Sequence, residues 1–514
     1  MELAVIFTGN RSAAVELRDG GLYHTLRPYR LTLNGSEWGE ADTVSVSLYG
    51  LTPATDYTLR VHDGDSLVGE VSFTTAEERV TLDVRAFGAE GDGVHEDTAA
   101  IQAAILCCPP GGRVLIPAGT YLVTPLFLKS HIRLEVQKGA TLKLRTEREA
   151  FPILPGRTDT SDGGDLLLGT WEGDPQDCFA ALLTGVDCED VLIWGEGVLD
   201  GSASRENWWH EPKKMRVAWR GRMLFLCRCK NVTVQGLTVR NSPSWNLHPY
   251  FSDDLRFIGM TVEAPADSPN TDGFDPESCR GVLLSGMRFS LGDDCIAIKS
   301  GKIWMGEHYH VPCEDLEIRH CLMENGHGGL TVGSEMAGGV KNVRVHDCLM
   351  RRTDRGLRVK TRRGRGEWGV VDGILFERVR MERVLVPLVV NAMYFCDPDG
   401  HSPWVQSREK QPVDHTTPTL GSVTYRDVEA VGCACAGYVL GLPERPMKQL
   451  TLERVTIDCA PDAPAIAPAM SEGVPQVSRH GLEAHFVEKL TLREVAITGC
   501  ETPYVLDKDI EVDA

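Results

Sequence analysis

A nine-residue pattern recurs along this chain and leaves few folds open. NVTVQGLTV (231–239), DLRFIGMTV (254–262), GVLLSGMRF (281–289), DLEIRHCLM (315–323) and NVRVHDCLM (342–350) carry apolar residues at offsets 1, 3, 6 and 8. So do GILFERVRM (373–381), QLTLERVTI (449–457) and KLTLREVAI (489–497), with SVTYRDVEA (422–430) and DVLIWGEGV (190–198) as weaker copies. Each reads as strand, two-residue corner, strand, because the apolar alternation restarts after the break. The closest starts are 23 to 27 residues apart, and wider gaps read as loop insertions. A period of that size with β alternation implies a solenoid in which each coil buries its inward residues on the coils above and below. The expected fold is all-β, a right-handed parallel β-helix. A leucine-rich repeat shares the period, but its asparagine ladder and helical half are missing. A short helix near 97–108 places Ile101, Ala104 and Ile105 on one face, with Asp97 or Thr98 as its N-cap. It is expected to cover the open solenoid end, which otherwise exposes apolar core and unpaired strand edges.

The first 78 residues follow a different rule. VSVSLYG, YTLRVHDG and EVSFTT alternate between turn residues, and no rung pattern appears. LYGLTPATDYTLRVHDGDSLVGEVSFTT (48–75) resembles the end of a fibronectin type III domain, with its Leu-x-Pro-x-Thr-x-Tyr corner and closing Phe-Thr-Thr strand. A small β-sandwich over 1–78 and the β-helix over 79–514 are therefore expected, with AEERV (76–80) as linker.

Composition removes several classes of function. At 514 residues the chain exceeds a single compact globule, a limit that a solenoid escapes. No apolar run approaches a membrane span, and no signal peptide is read at the N-terminus. A net charge of -20 argues against nucleic acid as the main partner. It leaves an anionic substrate open, because a local basic patch dominates at short range. The 16 cysteines are scattered through strand-like runs, and Cys227-x-Cys229 and Cys433-x-Cys435 lack zinc-ligand spacing. Reduced cysteines acting as small hydrophobes in a cytoplasmic protein are expected, without a cofactor or a bound metal.

Three polar interruptions fall on successive coils: SPNTDGFDPES (268–278), LGDDCIAIKSG (291–301) and NGHGGLTVGSE (325–335). Equivalent places on stacked coils are about 4.8 Å apart. Asp272, Asp293, Asp294 and His327 should therefore converge. Crowded carboxylates cannot all ionise freely, so one proton affinity rises and an acid stands beside a base. Glycosidic cleavage requires that pair. One coil on, RRTDRGLRVKTRRGR (351–365) concentrates Arg351, Arg352, Arg355, Arg358, Lys360, Arg362, Arg363 and Arg365 in a strongly acidic chain. Arg358 and Lys360 share a strand face, and guanidinium groups read carboxylates. Singly, these features are a solvated turn, a turn histidine and a solvated basic face. Their placement on successive coils points to hydrolysis of an acidic polysaccharide.

NTDGFDP, GDDCIAIKSG, GHGGLTVGS and RGLRVKT resemble, in order, the signature segments of the polygalacturonases, the family 28 glycoside hydrolases. RAFGAEGDGVHEDTAAIQAA resembles the opening of the wider pectinase β-helix superfamily, and the likeness runs over about 80–500. It implies that Asp293 is the general acid and that Asp272 and Asp294 hold and activate water. It further implies that His327 supports the acid, that Arg358 and Lys360 contact the substrate carboxylate, and that Asn270 binds substrate beside them. The implied reaction inverts the anomeric centre and needs no metal; the implied substrate is polygalacturonate or its oligogalacturonides. The front β-sandwich and SPSWNLHPYF (242–251), GSEMAGG (333–339) and FCDPDGHSPW (395–404) resemble bacterial exo-acting members. Exo action needs a cleft blocked on one side, which insertions near 150–178 and 396–420 would provide. WEGDP (171–175) and NWWH (207–210) offer aromatic surfaces to sugars. A rhamnogalacturonan or xylogalacturonan hydrolase of the same family, a calcium-dependent pectate lyase and a non-catalytic adhesin β-helix are the rival readings.

Overall fold

The structure, a computed structural model, describes residues 1–514. Seven antiparallel strands form the front of the chain: β1 (Glu2–Thr8), β2 (Ala13–Arg18), β3 (His24–Leu33), β4 (Ser36–Thr43), β5 (Ser45–Leu48), β6 (Asp56–Asp63) and β7 (Ser66–Thr74). They make two sheets, β1-β2-β5 and β4-β3-β6-β7. Leu17, Leu31, Val46, Leu59, Val61 and Phe73 fill the space between them.

From Thr81 onward the chain winds as a parallel β-helix. One long sheet runs from Thr81–Asp83 to Glu511–Asp513, and its successive coils pair in parallel register. The register matches the sequence pattern at offset 1. Val232, Leu255, Val282, Leu316, Val343, Ile374, Val423, Leu450 and Leu490 are each paired to the next coil or lie one coil on. These side chains belong to one continuous core. Each such side chain, fully buried, is worth about 1.5–3 kcal/mol. A one-residue slip would turn the whole ladder to solvent.

The corner has a single physical basis. At offset 5 every rung holds a residue at positive φ: Gly236, Gly259, Gly286, His320, Asp347, Arg378, Asp427, Arg454 and Glu494. In later rungs the strand continues through this bend, as in Val340–Arg351 and Val370–Glu382, so the expected two-residue corner is there one left-handed residue. The glycines mark where the sandwich docks. A Cβ at Gly236 would overlap the Tyr49 hydroxyl, and one at Gly286 the Ser45 side chain. In the later rungs His320 and then charged residues take the position despite the backbone cost, the first of them still bordering the sandwich.

The docking contact is polar. Gln235 Nε2 donates to Ala13 O at 3.0 Å, Ser285 Oγ to Glu16 Oε1 at 2.9 Å and Arg319 Nε to Glu16 Oε1 at 2.6 Å. The 76–80 stretch is anchored, not loose: Glu78 accepts from Arg11 Nη2 at 2.9 Å and from Thr81 Oγ1 at 3.0 Å. Helix α1 (Thr98–Cys107) closes the N-terminal end of the solenoid with Ile101, Ala104 and Ile105 buried. Asp97 occupies its N-cap but makes no cap bond. Its carboxylate accepts instead from Glu90 N at 2.7 Å and Gly91 N at 3.1 Å. No helix is long and apolar enough to cross a membrane.

Candidate active site

A second parallel sheet carries the groove. Its strands include Ile296–Ile298, Leu330–Val332, Arg355–Lys360 and Val386–Asn391. Thr331 pairs with Arg358, and Ala297 with Thr331, so the basic strand stands two coils from the Asp-Asp strand. Just ahead of these strands the chain makes its turns. Asp293, His327 and Asp354 each fall four residues past the end of a rung, and so stack. A cleft of about 620 Å³ opens over this region. All seven residues expected from the sequence line it: Asn270, Asp272, Asp293, Asp294, His327, Arg358 and Lys360.

The three aspartates are crowded, with one oxygen of each within 4.8 Å of the other two. Their surroundings make them unequal. Asp294 is 1% exposed, with Lys360 Nζ at 3.0 Å from Oδ2 and Arg358 Nη1 at 3.5 Å from Oδ1. Burial alone would raise its carboxyl, but Lys360 and Arg358 together hold it well below the usual carboxylate range. Asp272 has no such cation in contact. Burial, then the charges of Asp293 and Asp275, push its carboxyl well above the ordinary value. Its Oδ1 has no hydrogen-bond partner within the protein. Asp293 is only half-buried and accepts from Asp294 N at 2.9 Å. Of the three it is the one most open to the cleft.

His327 differs from expectation. Its Nδ1 lies 2.8 Å from Asp354 Oδ2, so its direct side-chain partner is Asp354 and not the Asp-Asp pair. That hydrogen bond raises its proton affinity, burial opposes it, and Asp293 and Asp294 add to the rise. Arg358 and Lys360 also do more than expected, since both serve as counterions to Asp294. Each lies over the Tyr394 ring, at 5.7 and 5.5 Å from its centroid. Asn270, at φ 54, is held by Arg220 Nη2, which donates to its Oδ1 at 2.7 Å.

Several residues of the cleft carried no signal that sequence reasoning used. Lys299 lines the cleft with Asp275 Oδ1 and Glu335 Oε2 each at 3.4 Å, and stands 4.5 Å from the centre of the Trp245 ring. Met470 reaches in from 460–479, and its Sδ accepts from Arg358 Nη2 at 2.9 Å. The tryptophans of NWWH offer nothing to a sugar. Trp208 and Trp209 are 1% and 6% exposed, and Trp208 packs edge-on against Phe151 and Phe179. Trp171 is also buried, stacked between Trp219 and Trp245 at centroid distances of 4.6 and 5.9 Å. Large rings in a chain-reversing loop were drawn into the core because burying them gains more than exposing them.

The model of the glycosyl hydrolases family 28 matches residues 112–462. The chain belongs to that family. A rhamnogalacturonase A/epimerase, pectate lyase-like model matches 81–135. A probable polygalacturonase of Vitis vinifera is 29% identical over 73% of this chain and 74% of its own. An endo-polygalacturonase of Pectobacterium carotovorum subsp. carotovorum is 31% identical over 58% of this chain and 72% of its own. Among solved structures, the hyperthermoactive exopolygalacturonase of Thermotoga maritima superposes with a TM-score of 0.67 at 27% identity, covering 82% of this chain and 93% of that one. The family 28 exopolygalacturonase of Yersinia enterocolitica shares the fold over 100% of this chain and 98% of its own, with a TM-score of 0.73 at 19% identity. This chain is thus a glycoside hydrolase built on the β-helix that its repeats predict.

Proposed function

We propose that this glycoside hydrolase cleaves α-1,4-galacturonosidic bonds in polygalacturonate and pectin-derived oligogalacturonides, from a chain end. The observation that carries this reading is the meeting of three crowded carboxylates with Arg358 and Lys360 on one wall. Asp294 takes up only part of their donor capacity: an ammonium has three donors and a guanidinium five. The remainder can read a uronate carboxylate. The relatives named polygalacturonase and exopolygalacturonase support the same substrate class.

In this reading Asp293 protonates the leaving glycosidic oxygen. Of the three carboxyls Asp293 is the one most open to the cleft, where that oxygen is bound. As the anomeric carbon–oxygen bond breaks, water attacks that carbon and its proton passes to the Asp272–Asp294 pair. Asp294, held ionised by Lys360, is the ready acceptor. His327, tied to Asp354, sits beside Asp293 and donates its backbone N–H to the Asp293 carbonyl at 3.2 Å. The family resemblance supports inversion by direct attack of water. The rival outcome, retention, would pass through a covalent glycosyl-enzyme intermediate. Proton NMR of the first-formed anomer separates the two.

Two further readings rest on this structure. The hydroxyl of Tyr57 accepts from Thr52 N at 2.9 Å, which, with the three- and four-stranded sheets, supports a fibronectin type III-like front domain. The 16 cysteines are all free and most are buried, which supports a reducing compartment. Metal-independent action is part of the proposal, since Lys360 and Arg358 already supply the positive charge that a cation would bring to Asp294. Rates on free and methyl-esterified polygalacturonate in the presence of a chelator test the substrate reading. Activity on the free acid and little on the ester is expected; equal rates, or loss of activity in chelator, would count against it.

A further inference from the structure

Three stretches far apart in sequence meet at one end of the cleft: 171–175, 333–336 and 396–397. They contribute Glu172, Ser334, Glu335, Cys396 and Asp397 to the lining, three of them acidic. Lys302 ties the stretches together. Its backbone N donates to Gly173 O at 2.9 Å, and its Nζ lies 3.2 Å from Asp174 Oδ2 and 3.0 Å from Asp397 Oδ1. Arg365 adds a second tie, from Nε to Ser334 O at 2.6 Å and from Nη1 to Asp397 Oδ2 at 3.0 Å. Gly173, at φ 80, rests on Glu335: a Cβ there would stand 2.7 Å from Glu335 Cγ. The segment therefore packs on the stem of Glu335, whose side chain keeps 12% of its surface exposed to the cleft.

Glu335 is held ionised. Burial would raise its carboxyl, but Lys299, Arg365 and Lys360 bring it well below the usual range. An ionised carboxylate accepts hydrogen bonds and donates none. A chain-terminal sugar brings a hydroxyl to this end of the cleft, whereas an internal sugar brings a glycosidic ether oxygen. The hydroxyl donates to the carboxylate. The ether oxygen faces it with lone pairs only and adds no donor to those the protein supplies, Ser334 Oγ at 3.1 Å and Lys299 Nζ at 3.4 Å. We propose that Glu335 is a specificity-determining residue that admits a chain end by its free hydroxyl and rejects an internal sugar. This deepens the chain-end reading above and rests on it. The hydroxyl is O4–H at a non-reducing end or O1–H at a reducing end.

Three trigalacturonides separate these cases: the natural trimer, one deoxygenated at O4 of its non-reducing sugar, and one deoxygenated at O1 of its reducing sugar. Deoxygenation removes the donor without adding bulk. The wild-type protein is expected to lose ~10- to 100-fold in kcat/KM on whichever trimer lacks the hydroxyl that Glu335 reads. Glu335→Met, which removes the acceptor at similar length, should lower kcat/KM on the natural trimer and erase that difference. Gly173→Ala, which displaces Glu335 without deleting it, should narrow the difference and decides the matter if Glu335→Met does not fold. Equal wild-type rates on all three trimers, or an undiminished difference in both variants, would overturn the role of Glu335. If polygalacturonate then still yields monomer alone, the chain-end reading stands without it. Internal cleavage of polygalacturonate by the wild type overturns both.

Discussion

Two charged clefts lie on the same solenoid and use their charges in opposite ways. In the cleft between the front domain and the β-helix, every charge has a partner. Glu16 is fully buried and receives Arg319 at 2.6 Å and Arg18 at 3.0 Å. His346 bridges Asp347 at 2.6 Å and Glu317 at 3.1 Å, and Arg378 closes on Asp347 at 2.7 Å. No atom of the residues lining that cleft is buried without a hydrogen-bond partner. In the catalytic cleft Asp272 Oδ1, Asp294 Oδ1 and both oxygens of the adjacent Asp275 have none. The first arrangement is a staple that holds two domains. The second keeps carboxylate capacity in reserve for a substrate and a water. Charge content alone does not tell them apart; satisfaction does.

The contrast can be broken in order of effect. Asp293→Asn should lower kcat by ~10³-fold or more with an unchanged circular dichroism spectrum, because it removes the acid and little packing. The same change of a cation to methionine should act differently in the two clefts. Lys360→Met uncovers Asp294 and should cost ~10²-fold in kcat/KM, with a higher acid limb in the pH profile. Arg319→Met should leave kcat/KM unchanged and destabilise the protein by ~3 kcal/mol in denaturant titration, since it leaves the buried Glu16 with only the part-exposed Arg18 as counterion. Loss of activity in Arg319→Met would show the clefts to be coupled.

A smaller effect has the opposite sign. Asp272 has a raised proton affinity in the fold, so folding loses stability as pH rises above the ordinary carboxylate value towards the raised one. Asp272→Asn should therefore abolish activity yet stabilise the protein by about 1 kcal/mol at neutral pH, with the gain vanishing near pH 3. Thermal unfolding at the two pH values checks it. Finally, Asp354→Asn replaces the carboxylate that raises His327 with a neutral amide, so the limb of the pH–rate profile governed by His327 should move to lower pH.

The repeating parts of the molecule were legible and the non-repeating parts were not. Offsets 1, 3, 6 and 8 located the ladder because inward residues must match coil to coil. The same period brought Asp272, Asp293, Asp294 and His327 together on paper. It also contained Asp354, four residues past its rung as His327 and Asp293 are past theirs, a signal that went unused. Glu335 and Lys299 lay inside quoted motifs, but their partners Arg365 and Asp275 cannot be chosen from many charges without the register. Met470 and Gly173 come from loops that fold back over the cleft, where no period operates. The tryptophans of 207–210 show the converse error: residue type suggested a sugar surface, while Phe151 and Phe179 decided their burial.

The products released from polygalacturonate in the presence of chelator test the central claim most directly. The account predicts saturated galacturonate monomer alone from the earliest time point. A ladder of oligomers would contradict action from a chain end, and unsaturated products absorbing in the ultraviolet would contradict hydrolysis itself.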